Sequence, residues 1–397
     1  MTPATNLQGR VVVPSLQDIQ KRWLGRMVGT SAPLVERMVL FLHDHWATAY
    51  TPGNTVDTPE LETQNRLFRS YAFGNWRDLC HKMIEDVALS CFLNNNVNVK
   101  KEPNENLARE FMELFTLGPG NYTETDIRQA ARALTGYKVA TNFTGTNLLV
   151  ETTGSRNVMV FDPKQHDDAD DITILGVGPK AFMPHDFVDV VLAQPAAPRF
   201  LARKLAETFV APNPSAAYID RIAGVLRSSN WSLAAALRAI FNSPEFQAPA
   251  ARSAIVKTPA EFVVGCLRAL DKTGDDDYTI ALSWMTEAGM QLYDPPNVGG
   301  WPVNMGWLGA GGVLARYNAG VTLADRHVNS APLLPTQQRL RATSPQGWGK
   351  LFGLTTLAPA TVDAMNGYVA GAGTAGTQVI DAAMITLLVA SPDYNLS

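Results

Sequence analysis

The chain has 397 residues, 46% of them hydrophobic, enough to bury a large core in one large domain or two to three smaller ones. A net charge of −4 and an isoelectric point near 5.9, with no basic patch, argue against a nucleic-acid partner. No run of 18 apolar residues occurs, so nothing reads as a membrane-spanning helix.

The first ten residues, MTPATNLQGR, lack the apolar stretch of a signal peptide. Residues 15–50 read as two helices, the second opening near Pro33 with Ser31 as its N-cap. That second helix runs into FLHDHWAT, 41–48. Its histidines, His43 and His45, stand two residues apart and diverge by roughly 160–200° on a helix, so they cannot ligate one ion together. His45 shares an arc with Leu34, Met38 and Phe41 and points inward, while His43 sits at the edge of that arc beside Glu36. An inward histidine is more often a satisfied core residue than a ligand, but His45 is the one that can reach a site in the helical core. Residues 58–95 are again helical and stop at Asn94-Asn95-Asn96. Cys80, Cys91 and Cys266 are odd in number and lack metal spacing, so they read as small buried apolar residues. If Cys80 and Cys91 share one helix, a rise of about 16 Å forbids a disulfide between them.

The run from Asn104 to Tyr137, NENLAREFMELFTLGPGNYTETDIRQAARALTGY, is the most informative part of the chain. Leu107, Ala108, Phe111, Met112, Leu114 and Phe115 form the apolar stripe of a helix. Asn106, Glu110 and Glu113 share the opposite arc, where two carboxylates at i, i+3 repel unless a cation or an arginine stands between them. A solvated face with an Arg109–Glu113 pair is the plainer alternative. Gly118-Pro119-Gly120 then breaks the helix, Thr123 with Asp126 forms a capping box for the next one, and Gly136 ends it.

Between about 140 and 180 the period changes to two, and NLLVE, NVMVFD and DITIL read as short strands. Among them lies DPKQHDDADD, 162–171, with Asp162, His166, Asp167, Asp168, Asp170 and Asp171 in ten residues. Charge this dense needs water or a cation, and its oxygens suit calcium or magnesium, with zinc, manganese or iron added by the histidine. The spacing is not that of an EF-hand. Helices return over about 185–290, broken at 212–214 and 248–258, and again at 312–327, 335–353 and 360–392, with GYVAGAGTAGTQ, 367–378, as a loose connector. Between them DPPNVGGWPVNMGWL, 294–308, offers Trp301 and Trp307 either as stacking surfaces in a pocket wall or as a packed plug. No G-x-S-x-G, Walker, G-x-G-x-x-G or H-E-x-x-H pattern is present.

NENLAREFMELFTLG followed by GNYTETDIRQAARALTGY resembles the signature of the bacterial domain of unknown function 1800 family, DUF1800. FLHDHWAT, HDDADDITILG (166–176), FLARKLAETFV (200–210), SPEFQ (243–247), KTPAEFVVGCLRAL (257–270), DPPNVGGWPVNMGWL and the late SPDYNL extend the resemblance over roughly residues 30–397. It implies a protein exported to the periplasm or beyond, often encoded beside a sulfatase-like partner. Two features depart from the family: the chain shows no leader or longer helical lead-in, which points to a frame extending upstream of Met1, to a trimmed N-terminus or to a member that is not exported, and no glycine stands at Ala169 or Asp170.

The expected fold is mainly α, a large multi-helix assembly with a small β insertion near 140–180. Its regions are 1–139 with the signature helices, 140–180 with the acidic histidine loop, and 181–397 with the Trp/Gly/Pro loop at 292–312, all within one compact unit. The leading expectation for function is a metal-dependent, hydrolase-like enzyme acting on an envelope or extracellular polymeric or sulfated substrate. Glu110, Glu113 and His166 are the expected catalytic residues. A divalent metal would be held by Glu110, Glu113, His166, Asp167 and His45, and substrate by Asn106, Trp301 and Trp307. The rival is a non-catalytic helical scaffold or binding protein partnering a sulfatase-like enzyme, with its acids salt-bridged to arginines such as Arg132 and Arg203.

Overall fold

A computed structural model of the chain describes residues 13–52, 56–140, 157–328, 344–373 and 376–397, with side chains at 327 and 328 left aside. It is mainly α, with two small antiparallel ladders. Two compact units divide it, one of Met1–Ile19, Ala32–Gln247 and Tyr293–Trp301, the other of Gln20–Ser31, Ala248–Leu292 and Pro302–Ser397. The units cut across the blocks 1–139, 140–180 and 181–397, because 20–31 folds with the second unit and 293–301 returns to the first. No described helix is long and apolar enough to cross a membrane.

The chain leaves the first unit within α1 (Leu16–Gly29) and rejoins it at α2 (Pro33–His45). Pro33 opens α2 with its φ already helical, but Ala32, not Ser31, is the N-cap, and no side chain caps the helix. The expected helix over 58–95 is three: α3 (Thr58–Tyr71), α4 (Trp76–Ile84) and α5 (Val87–Phe92). Asp57, Asn75 and Asp86 each cap one by accepting an orphan backbone N–H, and each cap restarts the chain in a new direction. Cys80 and Cys91 therefore sit on different helices, both buried and reduced, as is Cys266. Asn94, at φ 58°, ends the series.

The signature helix, α6 (Asn106–Glu110), widens without interruption into a π-helical segment, Phe111–Thr116. Gly118 and Gly120, at φ 79° and 82°, turn the chain into α7 (Glu124–Ala133), which carries the expected Thr123–Asp126 capping box. Strand β1 (Tyr137–Ala140) then pairs with β2 (Val158–Phe161), with Tyr137 opposite Phe161. Strand β3 (Ile172–Ile174) pairs with β4 (Val177–Lys180). NVMVFD and DITIL hold β2 and β3; NLLVE lies outside the described residues. Helices α8 (Pro184–Leu192), α9 (Ala196–Phe209), α10 (Ala216–Ser228), α11 (Leu233–Phe241) and the short α12 (Pro244–Gln247) complete the unit. Its core is aromatic, with Phe68, Trp46, Trp76, Phe111, Phe115, Phe182, Phe187, Tyr218 and Tyr293 almost fully enclosed.

The second unit comprises α13 (Pro259–Ala269), α14 (Asp275–Glu287), α15 (Ala310–Val328), α16 (Pro345–Leu351), α17 (Pro359–Gly371), α18 (Thr377–Ala390) and α19 (Pro392–Asn395). Helix α17 runs through the first half of the expected loose connector. Buried Arg316 ties the C-terminus in, donating to Asn395 Oδ1 at 3.0 Å and to Lys257 O at 2.6 Å.

Candidate functional site

The acidic loop is neutralised by the protein itself. Arg132 of α7 donates through Nε to Asp167 at 2.7 Å and through a terminal nitrogen to Asp171 at 2.6 Å. Lys100 takes Asp168 at 2.5 Å and Lys138 takes Asp162 at 2.8 Å. Burial alone would raise the Asp167 carboxyl, but Arg132 outweighs it and holds the group below the usual carboxylate range. Lys138 and Lys100 do the same for Asp162 and Asp168. His166 is buried, with Nδ1 2.9 Å from the Thr135 carbonyl oxygen and Nε2 2.9 Å from that of Phe182. Neither nitrogen is open to an ion while those contacts stand. The loop is a staple between α7, β1 and the segment leading to α8.

The signature helix behaves differently. Arg109 does not pair with Glu113; it grips both oxygens of Glu124 at 2.8 Å and reaches Glu105 at 3.1 Å. Glu113 accepts from the Tyr122 hydroxyl. Glu110 is half-buried, and burial and then Glu113 push its carboxyl up against the opposing pull of Arg109. Among the described residues no side chain donates a hydrogen bond to Glu110. Asn106, expected at a substrate, is exposed at the start of α6.

The π segment widens the helix and leaves carbonyls in need of partners. One of them, Phe115 O, accepts from His45 Nε2–H at 2.8 Å. His45 is therefore on the core side, as expected from the wheel. His43, placed by the wheel at the stripe's edge, is buried too, because the loop 293–301 covers it: its Nε2 accepts the Tyr293 N–H at 3.2 Å. Burial pushes both imidazoles down to about 3, so both are neutral at physiological pH.

Between them stands Asp44, where separate stretches of chain meet. Its Oδ1 accepts the Trp301 N–H at 2.8 Å, and Tyr50 N–H donates to Tyr293 O at 2.9 Å, so FLHDHWAT and the Gly-Gly-Trp loop are laced together. Gly300 has φ 85°, and a Cβ there would lie 2.4 Å from Asp44 Oδ1, so only glycine fits. Helix α9 adds Phe200, Lys204 and Glu207, one face at i, i+4 and i+7. The Phe200 ring lies 6.1 Å from that of His45 and against Gly118 of the signature turn, and Lys204 Nζ lies 5.8 Å from the Phe200 centroid. Burial raises the Asp44 carboxyl to about 6, even though the Trp301 N–H and the Lys204 charge both favour its ionised form. Burial also raises Glu207, against Lys204 and Arg203. Such a centre can give or take a proton near neutrality beside a fixed positive charge.

Of the expected site residues, the structure brings His45 and Trp301 to the two sides of Asp44. It does not gather Glu110, Glu113, His166, Asp167 and His45 into one ligand set: among the described residues no three of His, Cys, Asp or Glu are placed to share an ion. His166 and Asp167 are held by backbone carbonyls and Arg132, and His45 Nε2 by Phe115. That donor set does not fit a metal as it stands. Trp301 and Trp307, expected at a substrate, are 5% and 4% exposed, so little of either ring faces solvent. The sequence reading missed Asp44, Lys204 and Glu207. The signal for the last two was present, since Phe200, Lys204 and Glu207 keep helical spacing within FLARKLAETFV.

A family model described as "Protein of unknown function (DUF1800)" matches residues 7–396, and the chain belongs to that family. No curated protein and no solved structure matches the chain.

Proposed function

For this DUF1800 family member we propose a hydrolase-like enzyme working by acid–base chemistry at Asp44, with Lys204 holding a negative group of the substrate. The observation that carries the reading is the mostly buried Asp44 carboxyl, raised to about 6 beside an ammonium that forms no ion pair among the described residues. The indole N–H of Trp301, buried and without a hydrogen-bond partner among the described residues, supports it, since an unmet donor costs about 1–3 kcal/mol in a closed core. His45 stays neutral and positions the π segment, leaving Asp44 as the group that titrates. A polymeric, sulfated or otherwise anionic envelope substrate outside the cytoplasm, and a sulfatase-like partner, join the proposal through the family resemblance and the positive charge of Lys204. No step in this reading runs through a metal.

The scaffold reading has its own support in the acidic loop, where Arg132 spans Asp167 and Asp171. Under it, Asp44 only fastens the loop at Gly300 and Trp301. The two readings part on a panel of sulfated and carboxylated polysaccharides, assayed for new reducing ends and free sulfate. The enzyme reading expects turnover with an inflection near pH 6, lost at least about 100-fold in Asp44→Asn while circular dichroism is unchanged. Absence of turnover across the panel, or turnover indifferent to Asp44→Asn, hands the protein to the scaffold reading.

A further inference from the structure

Two histidines that the sequence does not mark, His81 of α4 and His185 of α8, stack with ring centroids 4.6 Å apart and planes inclined by 30°. Each carries a carboxylate four residues on along the chain, Glu85 and Asp189, and the pairs cross. His81 Nε2 meets Asp189 Oδ1 at 2.8 Å, and His185 Nε2 meets Glu85 Oε1 at 2.8 Å. Both histidines are partly exposed, 20% and 45% at the side chain, so protons reach them. We propose that His81, His185, Glu85 and Asp189 form a proton-dependent clasp that fastens α4 to α8.

The sign follows from distances. An imidazolium N–H to a carboxylate is roughly twice as strong as the neutral bond. On double protonation two attractive contacts at 2.8 Å oppose one ring-to-ring repulsion at 4.6 Å, so attraction wins. The surrounding charges moderate the gain without reversing it. Arg77 grips both oxygens of Asp189 at 2.7 and 2.6 Å, Lys82 reaches Glu85 at 3.1 Å, and the Tyr137 hydroxyl donates to Glu85 at 3.4 Å. Asp78 acts on Arg77. Burial raises Glu85 and Asp189, but Lys82 with His185 and Arg77 with His81 hold them below the usual carboxylate range, ionised and ready to accept. The remaining charged groups nearby are engaged elsewhere: Asp186 caps Met183, Asp86 caps Leu89, Arg132 holds the acidic loop, and Arg199 pairs with Asp220.

The clasp lies where it can matter. Helix α4 begins with Trp76, 5.1 Å from the His45 ring, and α8 carries Phe187, 5.1 Å from Phe111 of the π segment. Both helices thus wall the aromatic cage around His45, so tightening them firms the surroundings of Asp44; this last consequence alone rests on the function proposed above. Hydrogen exchange of the whole protein tests the clasp. Amide protection over 76–84 and 184–192, corrected for intrinsic rates, should fall about fivefold from pH 5.5 to pH 8. The fall should shrink in His81→Gln/His185→Gln to the part that Asp44 and Asp86, both raised to about 6, impose on the protein, and be intermediate in the half-exposed single variant His185→Gln, which keeps the test open if the double variant does not fold. Protection that does not change with pH in the parent protein, or a fall as large in the His185→Gln variant as in the parent, overturns the clasp. Neither result touches the Asp44 titration, so the two proposals fail separately.

Discussion

The acidic loop and the Asp44 centre hold charge in opposite ways. The loop gathers five aspartates and a histidine within ten residues, and Arg132, Lys100 and Lys138 meet four of those carboxylates. The centre has one aspartate, one lysine and one glutamate, and burial, not a partner, dominates the two carboxyls. Asp162, Asp167 and Asp168 are held low and stay ionised, whereas Asp44 is raised to where its proton is exchangeable near neutrality. Density of charge in a sequence therefore marks where neutralising partners are needed; chemistry of the acid–base kind goes with a few charges taken out of water.

The comparison breaks most readily at Arg132. Arg132→Leu leaves Asp167, largely enclosed, and Asp171 without their shared cation, and should cost about 3 kcal/mol in urea unfolding. A loss below about 0.5 kcal/mol would mean that water, not Arg132, solvates the loop. At the other region Gly300→Ala forces a Cβ onto Asp44 in a left-handed backbone, and should cost about 2 kcal/mol. A thermal midpoint equal to the parent's would show that the loop is not laced to α2 as described.

Asp44→Asn sharpens the contrast because its sign is opposite. The folded protein holds the Asp44 proton more tightly than the unfolded chain, so ionisation costs stability that is fully present below pH 4 and lost as pH rises through about 6. Removing the charge should therefore stabilise the protein above pH 7 by about 1–2 kcal/mol, while abolishing the proposed turnover. Destabilisation at pH 8 equal to that at pH 4 would mark Asp44 as a fastener only. The smallest effect is expected from Lys100→Ala, whose partner Asp168 is mostly exposed. Its urea midpoint should stay within error of the parent's, and a clear loss would show that the loop depends on every cation rather than on Arg132.

Much of the fold is legible in the sequence. The capping box at Thr123, the glycine turn at 118–120 and the strands around 159 and 173 are fixed by local chemistry that acts over a few residues. The helix breaks at Tyr71 and Glu85 are harder, since Asn75 and Asp86 are caps without a proline or a glycine run to announce them. The widened turn at Phe111–Thr116 is also invisible, because its stabilisation comes from His45, 70 residues away. The candidate site divides in the same way. His45 is legible as an inward residue, but Asp44 reads as a polar position between two histidines until residues 293–301 fold over it. The spacing of Lys204 with Phe200 and Glu207 is legible, but that it faces Asp44, like the crossed pairs of His81 and His185, depends on partners far off in sequence.

The central claim is that Asp44 is a buried acid–base group held beside Lys204. Carboxyl-carbon NMR of uniformly labelled protein, with Asp44→Asn as the assignment blank, measures it directly. The account predicts two aspartates titrating near pH 6, Asp44 and Asp86, of which the one absent in the blank moves upward in Lys204→Met because the ammonium that favours its ionised form is gone. An Asp44 signal titrating near pH 4, and unmoved by Lys204→Met, would contradict it.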